Sequence, residues 1–201
     1  DIVARAELLT RVDRKYLVPM ADAAAILNRI DPRSRVLEID GRREFAYDSV
    51  YFDTPDHLSY RLTAQRRRRR FKLRTRSYVD TGGTFLELKT KSGRGSTVKD
   101  RLACDEADRA SITAEGGSYV ARLLGDQGHR PDLVDELRPS IVSHYRRATL
   151  LLPGGSRATV DTALRWACPR SGAALDLPDY AIIESKSAGA ATQLDRELWR
   201  M

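Results

Sequence analysis

Three short stretches place an acidic side chain two positions before a lysine: Asp13 and Lys15 in RVDRKYLVP, Glu87 and Lys89 in FLELKTK, and Glu184 and Lys186 in YAIIESKS. On a β-strand, residues two apart share a face, so each pair points one way. The opposite parity is apolar, with Leu86 and Leu88 around the second pair and Ala181 and Ile183 around the third. Arg147 in YRRATL and Arg157 in SRATVD add arginines to two more strand-like segments, and Thr159 and Asp161 share the parity of Arg157. The stretch AQRRRRRFKLRTRSY (64–78) alternates from Phe71 onward. Phe71, Leu73, Thr75 and Ser77 fall on one parity, and Arg70, Lys72, Arg74, Arg76 and Tyr78 on the other. Any one such strand fits a sheet with a solvated face. Repeated over so many strands, the pattern fits a common polar interior. Gathering that many cations is costly unless water, carboxylates or a polyanion accompanies them.

The composition narrows the partner only coarsely. The chain has 201 residues, 41% hydrophobic and 31% charged, which suits one globular domain spanning 1–201. A net charge of +7 favours an anionic partner, whether nucleic acid, anionic membrane or a phosphorylated small molecule. Cys104 and Cys168 form no CxxC and have no nearby histidine cluster, which argues against a disulfide framework or zinc site. A reducing compartment follows, the cytoplasm or the cytoplasmic face of a membrane. No apolar stretch reaches the roughly 20 residues needed to cross a bilayer. The chain begins at Asp1 rather than Met, which leaves room for a preceding targeting segment.

The elements that must carry these residues are mostly strands, expected at 11–18, 46–53, 68–78, 84–91, 140–152, 156–164 and 180–187. Pro153-Gly154-Gly155 predicts a tight antiparallel hairpin. Helical pattern is confined to 20–30, 55–62 after a cap at Thr54, 117–124 and 190–200. Many antiparallel strands with a few peripheral helices predict a sheet or closed barrel in the α+β class, and a barrel of about eight strands would have just enough interior for side chains or one small ligand.

These segments resemble, in order along nearly the whole chain, the VTC domain, the catalytic domain of the vacuolar transporter chaperone complex. That domain is one of the CYTH-like triphosphate tunnel metalloenzymes. The fragments are RVDRKYLVP, SVYFDTPDHLSYR, KLRTRSY, FLELKTKSGRGSTVKDR, RPSIVSHYRRATLLL, SRATVDT and YAIIESK. The resemblance implies a tunnel-shaped antiparallel barrel that takes ATP, triphosphate or inorganic polyphosphate with Mn²⁺ or Mg²⁺. It implies ATP-dependent polyphosphate synthesis, with triphosphate hydrolysis as the related activity and a membrane-protein partner of unknown identity. Carried over by position, Lys15, Arg74, Arg76, Lys89, Lys99, Arg147 and Arg157 would grip phosphate, with Arg61 from a loosely aligned segment and Tyr145 beside Arg147. Lys72 shares the row of Arg74. Glu184 would be the metal ligand, with Lys186 next to it. The ExExK opening of the wider family is here Arg11, Asp13 and Lys15, a departure toward a more basic tunnel. The chain also stops at Met201, short of a further lysine-bearing segment usual in the family.

Other readings compete. A basic tunnel without turnover would make a polyphosphate or nucleotide sensor. Five consecutive arginines at 66–70 suggest RNA or DNA, although no aromatic stacking ladder accompanies them, so nucleic acid is the less favoured partner. The glycines of SGRGS (92–96) suit a hairpin loop that brings Lys99 back over the tunnel mouth. His57, His129 and His144 read as surface or structural residues, Asp53 as structural, and Trp166 and Trp199 as packing residues.

Overall fold

Segments that alternate apolar and charged residues become strands here because each can bury one face and leave the other to charge. The computed structural model describes residues 12–91 and 97–201. In chain order the elements are β1 (Val12–Pro19), α1 (Met20–Leu27), β2 (Arg35–Val36), β3 (Glu44–Asp53), α2 (Leu58–Ala64), β4 (Phe71–Tyr78) and β5 (Thr84–Lys91). They continue with β6 (Thr97–Cys104), α3 (Ala114–Asp126), β7 (Arg138–Leu151), β8 (Arg157–Ala167), β9 (Ala174–Leu177), β10 (Tyr180–Ser187) and α4 (Gln193–Trp199). Among the described residues the class is α+β with antiparallel pairing, as expected, and eight strands follow one another in hydrogen-bonded order, with the short β2 and β9 paired beside them. Arg11 and the SGRGS loop lie outside the described residues.

The chain divides into two compact units. The first comprises Asp1–Ala46, Tyr145–Arg165 and Asp176–Met201; the second comprises Tyr47–His144 and Trp166–Leu175.

In the first unit β10 lies between β1 and β8. Its core is formed by Val18, Ala158, Val160, Ala181 and Ile183 with Ile26 of α1 and Leu194 of α4. Asp195, fully buried, fastens α4 to this core. Its carboxylate accepts from Tyr16 Oη at 2.9 Å, from the Ser185 hydroxyl, and from the Thr192 amide at 2.7 Å in a capping box. Holding Ser185 inward turns Glu184 and Lys186 to the opposite face. The expected hairpin is present: Gly154 and Gly155 have φ of 84° and 82°, and the Leu152 amide donates to Ser156 O at 2.8 Å. Two successive left-handed residues explain the glycines.

In the second unit β3, β4, β5 and β6 pair in that order. Val50, Phe52, Phe71, Leu73, Leu86 and Leu88 form the core face, closed by Val120 and Leu124 of α3. Gly116 lets α3 approach closely, since a Cβ there would lie 3.0 Å from Leu86 Cδ2. Asp53 is structural, as expected: its carboxylate accepts from the amides of Thr54 (2.8 Å), Ser59 (2.8 Å) and Tyr60 (3.0 Å). The helix starts three residues later than predicted, with His57 rather than Thr54 at its N-cap, although Thr54 Oγ1 accepts from the Leu58 amide at 2.9 Å. Residues 68–70, expected as strand, form a loop after α2. Trp199, expected to pack, is 58% exposed.

Candidate functional site

Each unit presents a sheet face opposite its core, and on each a buried carboxylate is surrounded by cations. In the first unit the rung of β1, β10 and β8 aligns Lys15, Glu184 and Thr159, and the next rung aligns Asp13, Lys186 and Arg157. Glu184 is 6% exposed. Its Oε2 lies 3.1 Å from Lys186 Nζ and its Oε1 3.8 Å from Lys15 Nζ. Burial pushes the Glu184 carboxyl up, but Lys186 and Lys15 outweigh it and hold the pKa below the usual carboxylate value. Burial dominates at Lys186, lowering it to about 8, with Glu184 opposing the shift and Arg157 adding to it.

Arg147 on β7 makes a bidentate pair with Asp161 on β8, Nε to Oδ1 at 2.6 Å and Nη2 to Oδ2 at 2.7 Å. Burial opposes the Arg147 charge, yet the Asp161 hydrogen bonds leave its pKa raised. The Tyr145 ring lies 5.1 Å from the same guanidinium. Thr159, almost fully buried, has a hydroxyl without a hydrogen-bond partner among the described residues.

The second unit repeats the theme with other chemistry. Glu87, 2% exposed, accepts from Arg74 Nε at 2.8 Å and Nη2 at 2.6 Å, and its other oxygen meets Lys99. Burial raises the Glu87 pKa, but Arg74 and Lys99 outweigh it and the net shift is downward. Burial also lowers Lys99, against the pull of Glu87. Arg74 donates to Tyr51 Oη at 3.0 Å, and Arg76 lies 5.5 Å from the Tyr47 ring with Nε donating to Ser49 Oγ at 3.3 Å. One rung beyond Glu87, Lys72, Lys89 and Lys99 stand in register on three adjacent strands.

Thus Lys15, Tyr145, Arg147, Arg157, Glu184 and Lys186 come together on the first unit's face. Lys72, Arg74, Arg76, Lys89 and Lys99 come together on the second's. Arg61 is not brought to either group. It sits on α2, whose Leu58 and Leu62 pack on the core side of the second unit's sheet, and it pairs with Asp56. The sequence noted Glu87 and Asp161 without assigning them a part. The structure makes Glu87 the hub of the second unit's cations and Asp161 the clamp on Arg147. Tyr47 and Tyr51 were missed altogether, although both share one parity of EFAYDSVYFD. Two of the three histidines are tied up locally: His129 Nε2 bonds Arg69 O at 2.7 Å, and His144 Nδ1 bonds Asp48 at 2.6 Å.

Glu184 is the residue best suited to a divalent ion. Mg²⁺-type ions are commonly held by one or two carboxylates together with substrate phosphate oxygens. Glu184 can offer one such carboxylate, with Lys186, Lys15 and Arg147 around it. Among the described residues no group of three His, Cys, Asp or Glu side chains forms a self-contained metal cage.

Comparison with known proteins bears on this arrangement. No curated protein matches the chain significantly. Among solved structures, a candidate adenylyl cyclase from Hippeastrum, described as having a dominant triphosphatase activity, is 16% identical with a TM-score of 0.53. The likeness covers 89% of this chain and 80% of that one. A Pyrococcus horikoshii protein is 13% identical with a TM-score of 0.50, over 93% of this chain and 85% of that one. At such identities the likeness concerns fold alone. The VTC domain profile matches residues 10–198, nearly the whole chain. The chain belongs to the VTC domain family.

Proposed function

We propose that this chain binds ATP or another triphosphate and transfers its terminal phosphoryl group, with inorganic polyphosphate as the growing acceptor. The observation that carries this reading is the pair of buried carboxylates, Glu184 and Glu87, each held among lysines and arginines on a strand face. Arginine grips phosphate oxygens through two parallel N–H donors, while lysine supplies a point charge. Arg74, Arg76, Arg147 and Arg157 would orient the phosphates, and Lys15, Lys72, Lys89, Lys99 and Lys186 would offset their charge. Tyr145 would steady Arg147.

In the reaction, an oxygen at the end of the phosphate chain attacks the γ-phosphorus of ATP. The bond from that phosphorus to the β,γ-bridging oxygen breaks, ADP leaves, and the chain is one phosphate longer. Little covalent help is required, so alignment and charge stabilisation supply most of the catalysis. Glu184 would hold Mn²⁺ or Mg²⁺, which when bound offsets charge on the phosphate oxygens.

Incubation with ATP and Mn²⁺, with products resolved on a gel, tests the reading. A ladder of polyphosphate is expected, and free phosphate alone would shift the assignment to hydrolysis, with water as acceptor. Neither product from the folded protein would remove the enzymatic reading. Tight tripolyphosphate binding without turnover would then select a sensor, a reading favoured by the two lysines that already pair with Glu184.

A further inference from the structure

The arginine run at 66–70 is not absorbed by either carboxylate-centred cluster, and it is an ordered element of the second unit. Arg66 closes the end of α2 in the left-handed region, φ 54°, and the Arg67 amide donates to Leu62 O at 2.9 Å. Arg70 folds back so that Nη1 donates to Arg67 O at 2.9 Å. Arg69 Nη1 donates to Gly128 O at 3.2 Å while its own carbonyl meets His129. Lys91 N donates to Arg70 O at 3.3 Å, which ties the loop to the end of the β4–β5 pair.

What distinguishes this loop is the density of its charge. Arg61, Arg109 and Arg130 of the same unit carry carboxylates, Asp56 for the first, Asp48 at 3.2 Å for the second, and Asp132 at 2.8 Å with Glu136 for the third, while exposed arginines without one, such as Arg101 and Arg138, stand singly. Among the described residues, none of Arg66 to Arg70 is paired with a carboxylate, and Arg66 to Arg69 are exposed. Holding five like charges in one fixed loop is unfavourable unless an anion shares it. The loop also leads directly into a row. Arg70 lies two residues before Lys72, which opens the three-lysine rung with Lys89 and Lys99, and Arg74 and Arg76 follow on the same face of β4. Successive members of the row along β4 stand about 6.8 Å apart, two strand residues.

We infer that the 66–70 loop is an outer subsite for a linear phosphate polymer longer than a triphosphate, bound by the row that runs from Arg74 past Lys72 to the arginines. The inference rests on the phosphate-binding reading above and extends it to chain length. Continuity with the Lys72 rung favours a phosphate chain over duplex nucleic acid or an anionic membrane.

The test compares wild type with R66N/R67S/R68S, which keeps Arg69 and Arg70 to hold the loop and places at 66 a residue tolerant of a left-handed φ. Affinities for inorganic tripolyphosphate and for long-chain polyphosphate are measured over a salt series. Long-chain affinity is expected to fall at least about tenfold, with the log–log salt slope reduced by about two, at roughly 0.7 for each phosphate no longer neutralised. Tripolyphosphate affinity is expected to stay within about twofold. An unchanged long-chain affinity, or an equal fall for both ligands, overturns the subsite. So does a variant that keeps long-chain polyphosphate but loses duplex RNA or phosphatidylserine vesicles. A wild type that binds tripolyphosphate but binds long chains no tighter defeats this inference alone. A wild type that binds neither defeats the phosphate-binding reading as well.

Discussion

The charged face of the first unit balances its cations locally, whereas that of the second leaves them in excess. In the first, Glu184 answers Lys15 and Lys186, Asp161 is matched to Arg147, and Asp13 stands beside Lys186. On the corresponding face of β4, β5 and β6, Lys72, Arg74, Arg76, Lys89, Lys99 and Arg101 have Glu87 as the single carboxylate. The second unit supplements it with uncharged partners, the Tyr51 hydroxyl and the Tyr47 ring. Near-balanced charge around a buried carboxylate suits a site that must hold a cation and a phosphate together. Excess positive charge suits a site that only grips phosphate.

The largest effect expected from this contrast is on stability. Arg147→Ala strands Asp161 in a buried site, and chemical denaturation should show a loss of about 3–5 kcal/mol. Arg74→Ala leaves Glu87 with Lys99 and should cost clearly less; equal losses would erase the distinction.

Catalysis should divide the faces next. Glu184→Gln is expected to lower turnover by about 10²–10³, comparable to losing one preorganised charge-stabilising group. Glu87→Gln should mainly weaken binding of triphosphate, read as a rise in KM. If the kcat defect followed Glu87 instead, the roles would be exchanged.

A third difference is pH dependence. Lys186 titrates near 8 in the free protein, against an ordinary 10.5, with Glu184, Arg157 and Asp13 around it. Phosphate favours its charged form, so binding should take up protons and affinity should fall as pH rises through 8. Lys186→Arg should flatten that profile. Without ligand the sign for stability is the reverse. Between about pH 8 and 10.5 the unfolded chain holds this proton and the folded one does not, so Lys186 makes the fold more stable as pH rises across the window.

The smallest expected effect concerns Thr159. Its buried hydroxyl has no hydrogen-bond partner among the described residues, so Thr159→Val should leave the free protein within about 1 kcal/mol of wild type, or more stable. Tripolyphosphate affinity should fall if the hydroxyl serves the ligand. A large stability loss in thermal denaturation would show that Thr159 is already satisfied.

How much of this was legible in the sequence depended on periodicity. β5 and β10 match the expected ranges residue for residue, because Leu86 and Leu88, and Ala181 and Ile183, hold one parity apolar against a Glu-x-Lys pair on the other. β6 was overlooked: TVKDRLAC is mostly exposed and lacks a clean apolar parity. Residues 68–70 continue the basic alternation on paper, but the left-handed turn at Arg66 and the fold-back of Arg70 make them a loop. The cation list emerged from parity and resemblance. The pairing of Arg74 with Glu87, and of Arg147 with Asp161, depends on strand register, which a single strand's pattern does not encode. Arg61 misled because its helix packs on the far side of the sheet. The two interleaved units left no linker signal, since each is assembled from separated segments.

The fastening of α4 to β1 also constrains biosynthesis. Arg14 bonds Ser187, 173 positions later, and Tyr16 bonds Asp195, 179 positions later. At about 5–20 residues per second, β1 leaves the ribosome roughly ten to thirty seconds before its partner strand exists. Through that interval its apolar residues and Lys15 have no native neighbours, and the cluster around Glu184 has not yet been made. Such late long-range closure is slow by nature. A nascent chain therefore cannot assemble the cluster around Glu184 until β10 and α4 have been synthesised, and β1 is the segment a chaperone would have to shield.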